Sequence, residues 1–115
     1  DNSDMLMKFD RFLHDYFDGN MQLAHGLPTV QYCADKLCMS SNYFGDMIKK
    51  TPGDTASNYI RQYIIQRAKN ELATGESIAR VAYGLGFEYP QHLSRMFKKQ
   101  TGMTPSDYYE SLRKK

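Results

Sequence analysis

Apolar side chains at Met5, Leu6, Phe9, Phe12, Leu13, Tyr16 and Phe17 recur three to four positions apart, the spacing that gives an α-helix one apolar face. They predict a helix from about Asp4 to Phe17, ended by Gly19-Asn20. Residues 21–28 have no clean period and hold Gly26 and Pro28, so they read as a connection. Thr29 is placed to cap a short second helix with Val30, Cys33, Ala34 and Leu37 inward. Ser40 or Ser41 then caps a third, with Phe44, Met47 and Ile48 inward, running to about Lys50. Pro52-Gly53 breaks the chain before Thr55 caps a long fourth helix, whose inward stripe is Tyr59, Ile60, Tyr63, Ile64, Ala68 and Leu72.

After Thr74-Gly75 the pattern begins again. Ser77 caps a fifth helix with Ile78, Val81, Ala82 and Leu85 inward, and Gly86 makes a turn. Tyr89-Pro90 opens a sixth with Leu93, Met96 and Phe97 inward, Pro90 suiting a first helical position where its missing N–H costs nothing. Gly102 ends it, and Thr104-Pro105 opens a seventh through Tyr108 and Leu112. The expected fold is all-α: seven helices forming two helix-turn-helix subdomains joined by a long linker helix. Residues 1–28 form a leading helix and connection, 29–54 the first helix-turn-helix, 55–74 the linker helix, and 75–115 the second helix-turn-helix with a closing helix.

The recurrence is an internal repeat. Shifted by 49 positions, Met47, Lys49, Lys50, Gly53, Thr55, Ser57 and Tyr59 fall on the identical Met96, Lys98, Lys99, Gly102, Thr104, Ser106 and Tyr108. Upstream the offset is 48, with Ala34 on Ala82 and Leu37 on Leu85, so the second unit has one more residue in its turn.

A helix-turn-helix alone is a weak indicator of function. The outward face of each second helix is more informative. With residues set 100° apart, Asn42, Asp46 and Lys49 lie opposite Phe44 and Ile48, and Gln91, Arg95 and Lys98 lie opposite Leu93 and Phe97. Asn and Gln can pair bidentately with adenine, Arg with guanine, and Asp can accept from cytosine, while Lys49, Lys50, Lys98 and Lys99 suit phosphates. A solvated polar face would explain either helix singly but not the repetition. The fourth helix, rising roughly 27 Å at ~1.5 Å per residue, is near the ~34 Å between major-groove windows on one face of B-DNA. One chain could then set two reading helices on adjacent turns.

Net charge is only +2, but its distribution supports this reading. Residues 1–46 carry three bases against seven acids, a net of −4; residues 47–115 carry twelve against six, a net of +6. At 115 residues, with 41% hydrophobic and 24% charged content, the chain suits one folded core rather than disorder. No run approaches the roughly 18 apolar residues of a membrane span. Asp1 and Asp4 make an acidic start unlike a signal peptide, so a cytoplasmic location without membrane contact is expected. A first residue other than Met suggests a fragment of a longer protein. Cys33 and Cys38, five apart and with no zinc spacing, read as buried reduced thiols. The histidines at 14, 25 and 92 are scattered, and no metal site, cofactor or catalytic constellation is expected.

The segment SIARVAYGLGFEYPQHLSRMFKKQTGMTPSDYY, Ser77 to Tyr109, resembles the signature of the AraC/XylS family of transcription regulators, and TVQYCADKLCMSSNYFGDMIKKTPGDTASNYI resembles that family's first unit. The resemblance spans about Thr29 to Leu112. It implies seven helices, the third and sixth of which enter the major groove of double-stranded DNA. Matched position by position, it implies base reading by Ser41, Asn42, Gly45 and Asp46 in the third helix and by Pro90, Gln91, His92 and Arg95 in the sixth. Ser40, Lys49, Ser94, Lys98 and Lys99 would be phosphate contacts. It further implies an N-terminal sensing, receiver or dimerisation domain in the full protein. Gly45 and Asp46 stand where the family often has longer or basic side chains, Leu93 replaces a usual Phe, and Tyr109 stands where an Arg commonly follows Tyr108, at the cost of a structural ion pair.

Asp46 has two readings, a base contact or an i,i+4 pair with Lys50. A competing function is a protein-interaction module that docks RNA polymerase or a partner domain and binds DNA weakly. An enzyme, such as an alkyl-accepting repair protein, would need a reactive exposed Cys in an electropositive setting, whereas Cys33 and Cys38 lie on or beside an apolar helical face.

Overall fold

Thr29, Ser40, Ser77 and Thr104 each precede a helix in extended backbone and accept a hydrogen bond from the N–H three residues on: Tyr32 at 3.1 Å, Tyr43 at 3.2 Å, Arg80 at 3.1 Å and Asp107 at 3.1 Å. Thr55 accepts likewise from Asn58 N at 3.0 Å. Each cap satisfies one N–H that the helix leaves unpaired, worth about 1 kcal/mol. Of the two candidate serines, Ser40 is the cap and Ser41 the first helical residue.

The computed structural model describes residues 2–51 and 53–114; Pro52, half of the chain break expected before Thr55, lies outside them. Eight helices and no strand occur among the described residues: α1 (Asn2–Asp18), α2 (Met21–His25), α3 (Val30–Lys36), α4 (Ser41–Lys50), α5 (Ala56–Ala73), α6 (Ile78–Gly84), α7 (Pro90–Thr101) and α8 (Pro105–Arg113). Seven correspond to the expected ones. The eighth, α2, lies where the sequence reads as a connection. A five-residue helix is too short to show an apolar period, and its buried residue is a glutamine, Gln22.

The chain forms two compact units, and the division falls inside α5. The first comprises residues up to Met21 with Pro28–Ile60. Its buried side chains include Phe9, Leu13 and Phe17 of α1, Cys33 and Ala34 of α3, Phe44 and Ile48 of α4, and Ile60. The Phe9 ring meets Phe44 edge-on at 4.8 Å and stacks on the half-buried Tyr59 at 5.0 Å, so the two phenylalanines add geometric preference to about 1.5–3 kcal/mol of burial each. Tyr59 also donates to the Asp10 carboxylate; burial, then that bond, pushes its hydroxyl well above the ordinary tyrosine range.

The second unit comprises Gln22–Leu27 and residues from Arg61 onward. It buries Ile64, Ile65, Ala68 and Leu72 of α5, Val81 and Ala82 of α6, Leu85 and Phe87 of the turn after α6, Leu93 and Phe97 of α7, and Pro105. Leu93 is fully buried, filling the place where the resemblance expects Phe. Tyr109, in place of the expected Arg, lies under the Arg113 guanidinium at 5.6 Å.

The cysteines differ from expectation. Cys33 is buried, but Cys38 is exposed, and both are free. Cys38 lies beyond the end of α3 with φ 62, and this left-handed step carries its side chain off the apolar stripe.

Candidate nucleic-acid interface

The two helix-turn-helix units are built by the same hydrogen bonds. In the first, Leu37 N donates to Cys33 O and Ala34 O, Cys38 N to Asp35 O, and Met39 N to Ala34 O, all at 2.9–3.1 Å. In the second, Leu85 N donates to Val81 O and Ala82 O, Gly86 N to Tyr83 O, and Phe87 N to Ala82 O, all at 3.0–3.2 Å. Every pair is related by the offset of 48. The caps that follow, Ser40 and Tyr89, are related by 49. The added residue is therefore Glu88, between Phe87 and the cap of α7.

Beyond the turn, Phe44 and Ile48 anchor α4 inward and Leu93 and Phe97 anchor α7. The opposite faces are exposed: Asn42, Asp46, Lys49 and Lys50 on α4, and Gln91, Arg95, Lys98 and Lys99 on α7. Among the described residues none of these eight side chains has a hydrogen bond or ion pair, so their polar groups are open to a ligand. In particular Asp46 makes no pair with Lys50. The lysines occupy the last turn of each helix, where their charge also complements the negative end of the helix dipole.

The other expected contacts are less equipped. Ser40 and Ser41 are exposed at the start of α4, with the Ser40 Oγ committed as a cap acceptor and still able to donate. Gly45 and Ser94, equivalent in the repeat, are both half-buried. Gly45 has no side chain, and a Cβ there would meet nothing within 4 Å, so packing does not require glycine. Its position opens a shallow groove of about 300 Å³ lined by Ser41, Asn42, Gly45, Asp46 and Lys49 with Val30, Thr55, Ala56 and Ser57. Pro90, half-buried at the first position of α7, offers only a ring. His92 is exposed and meets the Tyr89 ring edge-on at 5.4 Å.

One residue on this face escapes pattern reading. Tyr43 is 59% exposed on α4. Its repeat partner by the offset of 49 is His92, which was the available signal. The faces differ in charge: α7 carries Arg95, Lys98 and Lys99 with no acid, whereas Asp46 sits among the lysines of α4.

This geometry is that of a tandem helix-turn-helix domain, and the comparisons with known proteins agree. A family model described as "Helix-turn-helix domain" matches residues 33–111. Regulatory protein SoxS of Escherichia coli (strain K12) is 36% identical over 84 residues, covering 72% of this chain and 78% of SoxS. The uncharacterized transcriptional regulatory protein YesN of Bacillus subtilis (strain 168) is 31% identical over 77 residues, 64% of this chain but 21% of YesN. Against three of the relatives it matches, the chain spans only 21%, 11% and 33% of their length.

Among solved structures, the C-terminal domain of the two-component response regulator yesN from Fusobacterium nucleatum aligns at TM-score 0.70 and 26% identity, covering 87% of this chain and 96% of that one. The DNA-binding domain of AdpA, solved with a target DNA, aligns at TM-score 0.73 and 22% identity, covering 91% and 92%; at that identity it shows the fold. The chain belongs to the AraC/XylS family of helix-turn-helix transcription regulators.

Proposed function

We propose that this chain is the DNA-binding part of a bacterial transcription regulator, which binds double-stranded DNA with sequence preference through α4 and α7. The observation that carries the reading is the repetition of one exposed polar face: Asn42 and Gln91, Asp46 and Arg95, and paired lysines stand at equivalent places opposite equivalent buried anchors. Asn42, Asp46, Gln91 and Arg95 would read base edges, with Ser41, Gly45, Pro90 and His92 alongside. Ser40, Lys49, Lys50, Ser94, Lys98 and Lys99 would hold phosphates. The AdpA domain of the same fold was solved on its target DNA, and SoxS and YesN are named regulatory proteins. This favours DNA over the protein-interaction reading.

Such a domain works in the cytoplasm, where the bacterial chromosome lies. No catalytic step is assigned to it. The short span relative to YesN supports a sensing, receiver or dimerisation domain elsewhere in the full protein, and regulation would pass through contact with RNA polymerase. Selection of bound sequences from random duplex DNA by the purified chain tests the core of this reading. A motif with two separated conserved blocks is expected, and recovery of no enriched sequence would overturn it.

A further inference from the structure

Gln22, 5% exposed, is the one amide or charged side chain buried among the described residues, and it lies on α2, the helix that pattern reading missed. Its Nε2 donates to the carbonyl of Gly84 at 2.9 Å, 62 residues away, at the last residue of α6. Because that partner is an acceptor, the amide's orientation follows: nitrogen toward Gly84, Oε1 away. Oε1 is buried and has no hydrogen-bond partner among the described residues. Leaving an acceptor in that state is unfavourable, so a methionine here would avoid a burial cost that glutamine bears. What methionine lacks is the N–H for Gly84.

The backbone around Gln22 reaches the same turn. Gly86 has φ 96, and a Cβ on it would lie 3.0 Å from both Gln22 Cβ and Gln22 O and 3.3 Å from Gly26 C. Gly26 N in turn donates to Gln22 O at 2.9 Å, closing the segment on itself. The turn that precedes α7 is therefore held at two neighbouring residues, Gly84 by a hydrogen bond and Gly86 by close packing. In the first unit the residue equivalent to Gly86 is Cys38, which is exposed, whereas Gly86 is half-buried.

We infer that Gln22 is a positioning residue for base reading by α7. Gly86 stands four residues before Pro90, where α7 begins, and a bidentate contact from Gln91 or Arg95 tolerates little error in the helix's placement. The inference rests on the DNA-binding reading above. It adds that the segment Gln22–Leu27, which lies in the chain between α1 and α3, sets the accuracy of the later of the two reading helices.

The test selects bound sequences from random duplex DNA with the purified wild-type chain and with Gln22→Met. The half-sites are assigned to α4 and α7 by the preferences lost in Asn42→Ala and Arg95→Ala. Gln22→Met is expected to keep a cooperative melt and to lose about fivefold in base discrimination at the α7 half-site, the ratio equivalent to one net hydrogen bond. Discrimination at the α4 half-site is expected to stay unchanged. Equal loss at both half-sites, or loss at neither, overturns the inference while leaving DNA binding intact; a wild-type chain without preference overturns both. Should the Met variant not fold, Gln22→Asn keeps the amide but is one methylene too short for Gly84. The same half-selective loss is expected from it, and a uniform loss overturns the inference.

Discussion

Cys38 and Gly86 occupy the same place in two copies of one turn. Both have left-handed backbone, φ 62 and φ 96, and both donate to the carbonyl three residues back, at 3.0 Å and 3.1 Å. Left-handed backbone costs a residue with a Cβ about 1–2 kcal/mol, and glycine nothing. Cys38 is exposed and gives up little packing when truncated. Cys38→Gly should therefore stabilise the protein by ~1 kcal/mol in urea denaturation, and Gly86→Ala, with φ strain and a 3.0 Å contact on Gln22, should destabilise it by more than ~1 kcal/mol.

Gly45 separates stability from binding. Its backbone is helical, and the space for a Cβ is open, so Gly45→Ala should stabilise α4 by about 0.5–1 kcal/mol. The added methyl narrows the groove where Asn42 and Asp46 lie. Affinity for the selected duplex is expected to fall while the melting temperature rises; a rise in both would remove Gly45 from the reading surface.

Asp46 and Arg95 hold equivalent positions with opposite charge. Arg95→Ala is expected to cost ~1–3 kcal/mol and to relax one base position. Asp46 works against the phosphate field, so Asp46→Ala should leave affinity unchanged or tighten it on most sequences. The exception is a cytosine read by Asp46, where that position alone would lose its preference. Titrations of both variants on the selected and a scrambled duplex check this. A larger, sequence-independent loss from Asp46→Ala would make α4 the principal reader.

Salt dependence follows from the lysines and Arg95. Neutralising several phosphates releases counterions, so affinity should fall steeply between low and physiological salt. Lys98→Ala should weaken binding on all sequences alike and reduce the logarithmic salt slope by about 1. Fluorescence titrations at several salt concentrations measure it.

The two thiols should behave differently. Burial pushes Cys33 from its ordinary 9.0 up to about 12 and also raises Tyr16. Folded-state values above the unfolded ones mean that the unfolded chain releases these protons first. Stability is then complete below about pH 9 and is lost as pH rises toward 12. Urea midpoints taken across that range should fall, and less so in Cys33→Ala. Under native conditions at neutral pH a thiol reagent should modify Cys38 rapidly and Cys33 only upon unfolding.

Much of this molecule is local and so was legible in its sequence. The period of Phe9, Leu13 and Phe17, the caps Thr29, Ser77 and Thr104, and the breaks at Gly75 and Gly102 act within one or two helical turns, and the helices stand where those patterns put them. The repeat made the outward faces of α4 and α7 legible too, because a buried anchor determines which residues lie opposite it. Interactions between residues distant in the chain were decided only by the tertiary structure. Five residues are too few to show a period, so α2 became visible only through Gln22 bonding to Gly84 across 62 positions. Whether Asp46 pairs with Lys50 depends on rotamers that spacing does not set, and they remain apart. Cys38 stands beside the inward stripe of Cys33, Ala34 and Leu37, but its exposure depends on a backbone sign that a cysteine does not advertise. Sequence patterns record which side of an element is apolar; how a loop closes on a distant turn is settled by packing alone.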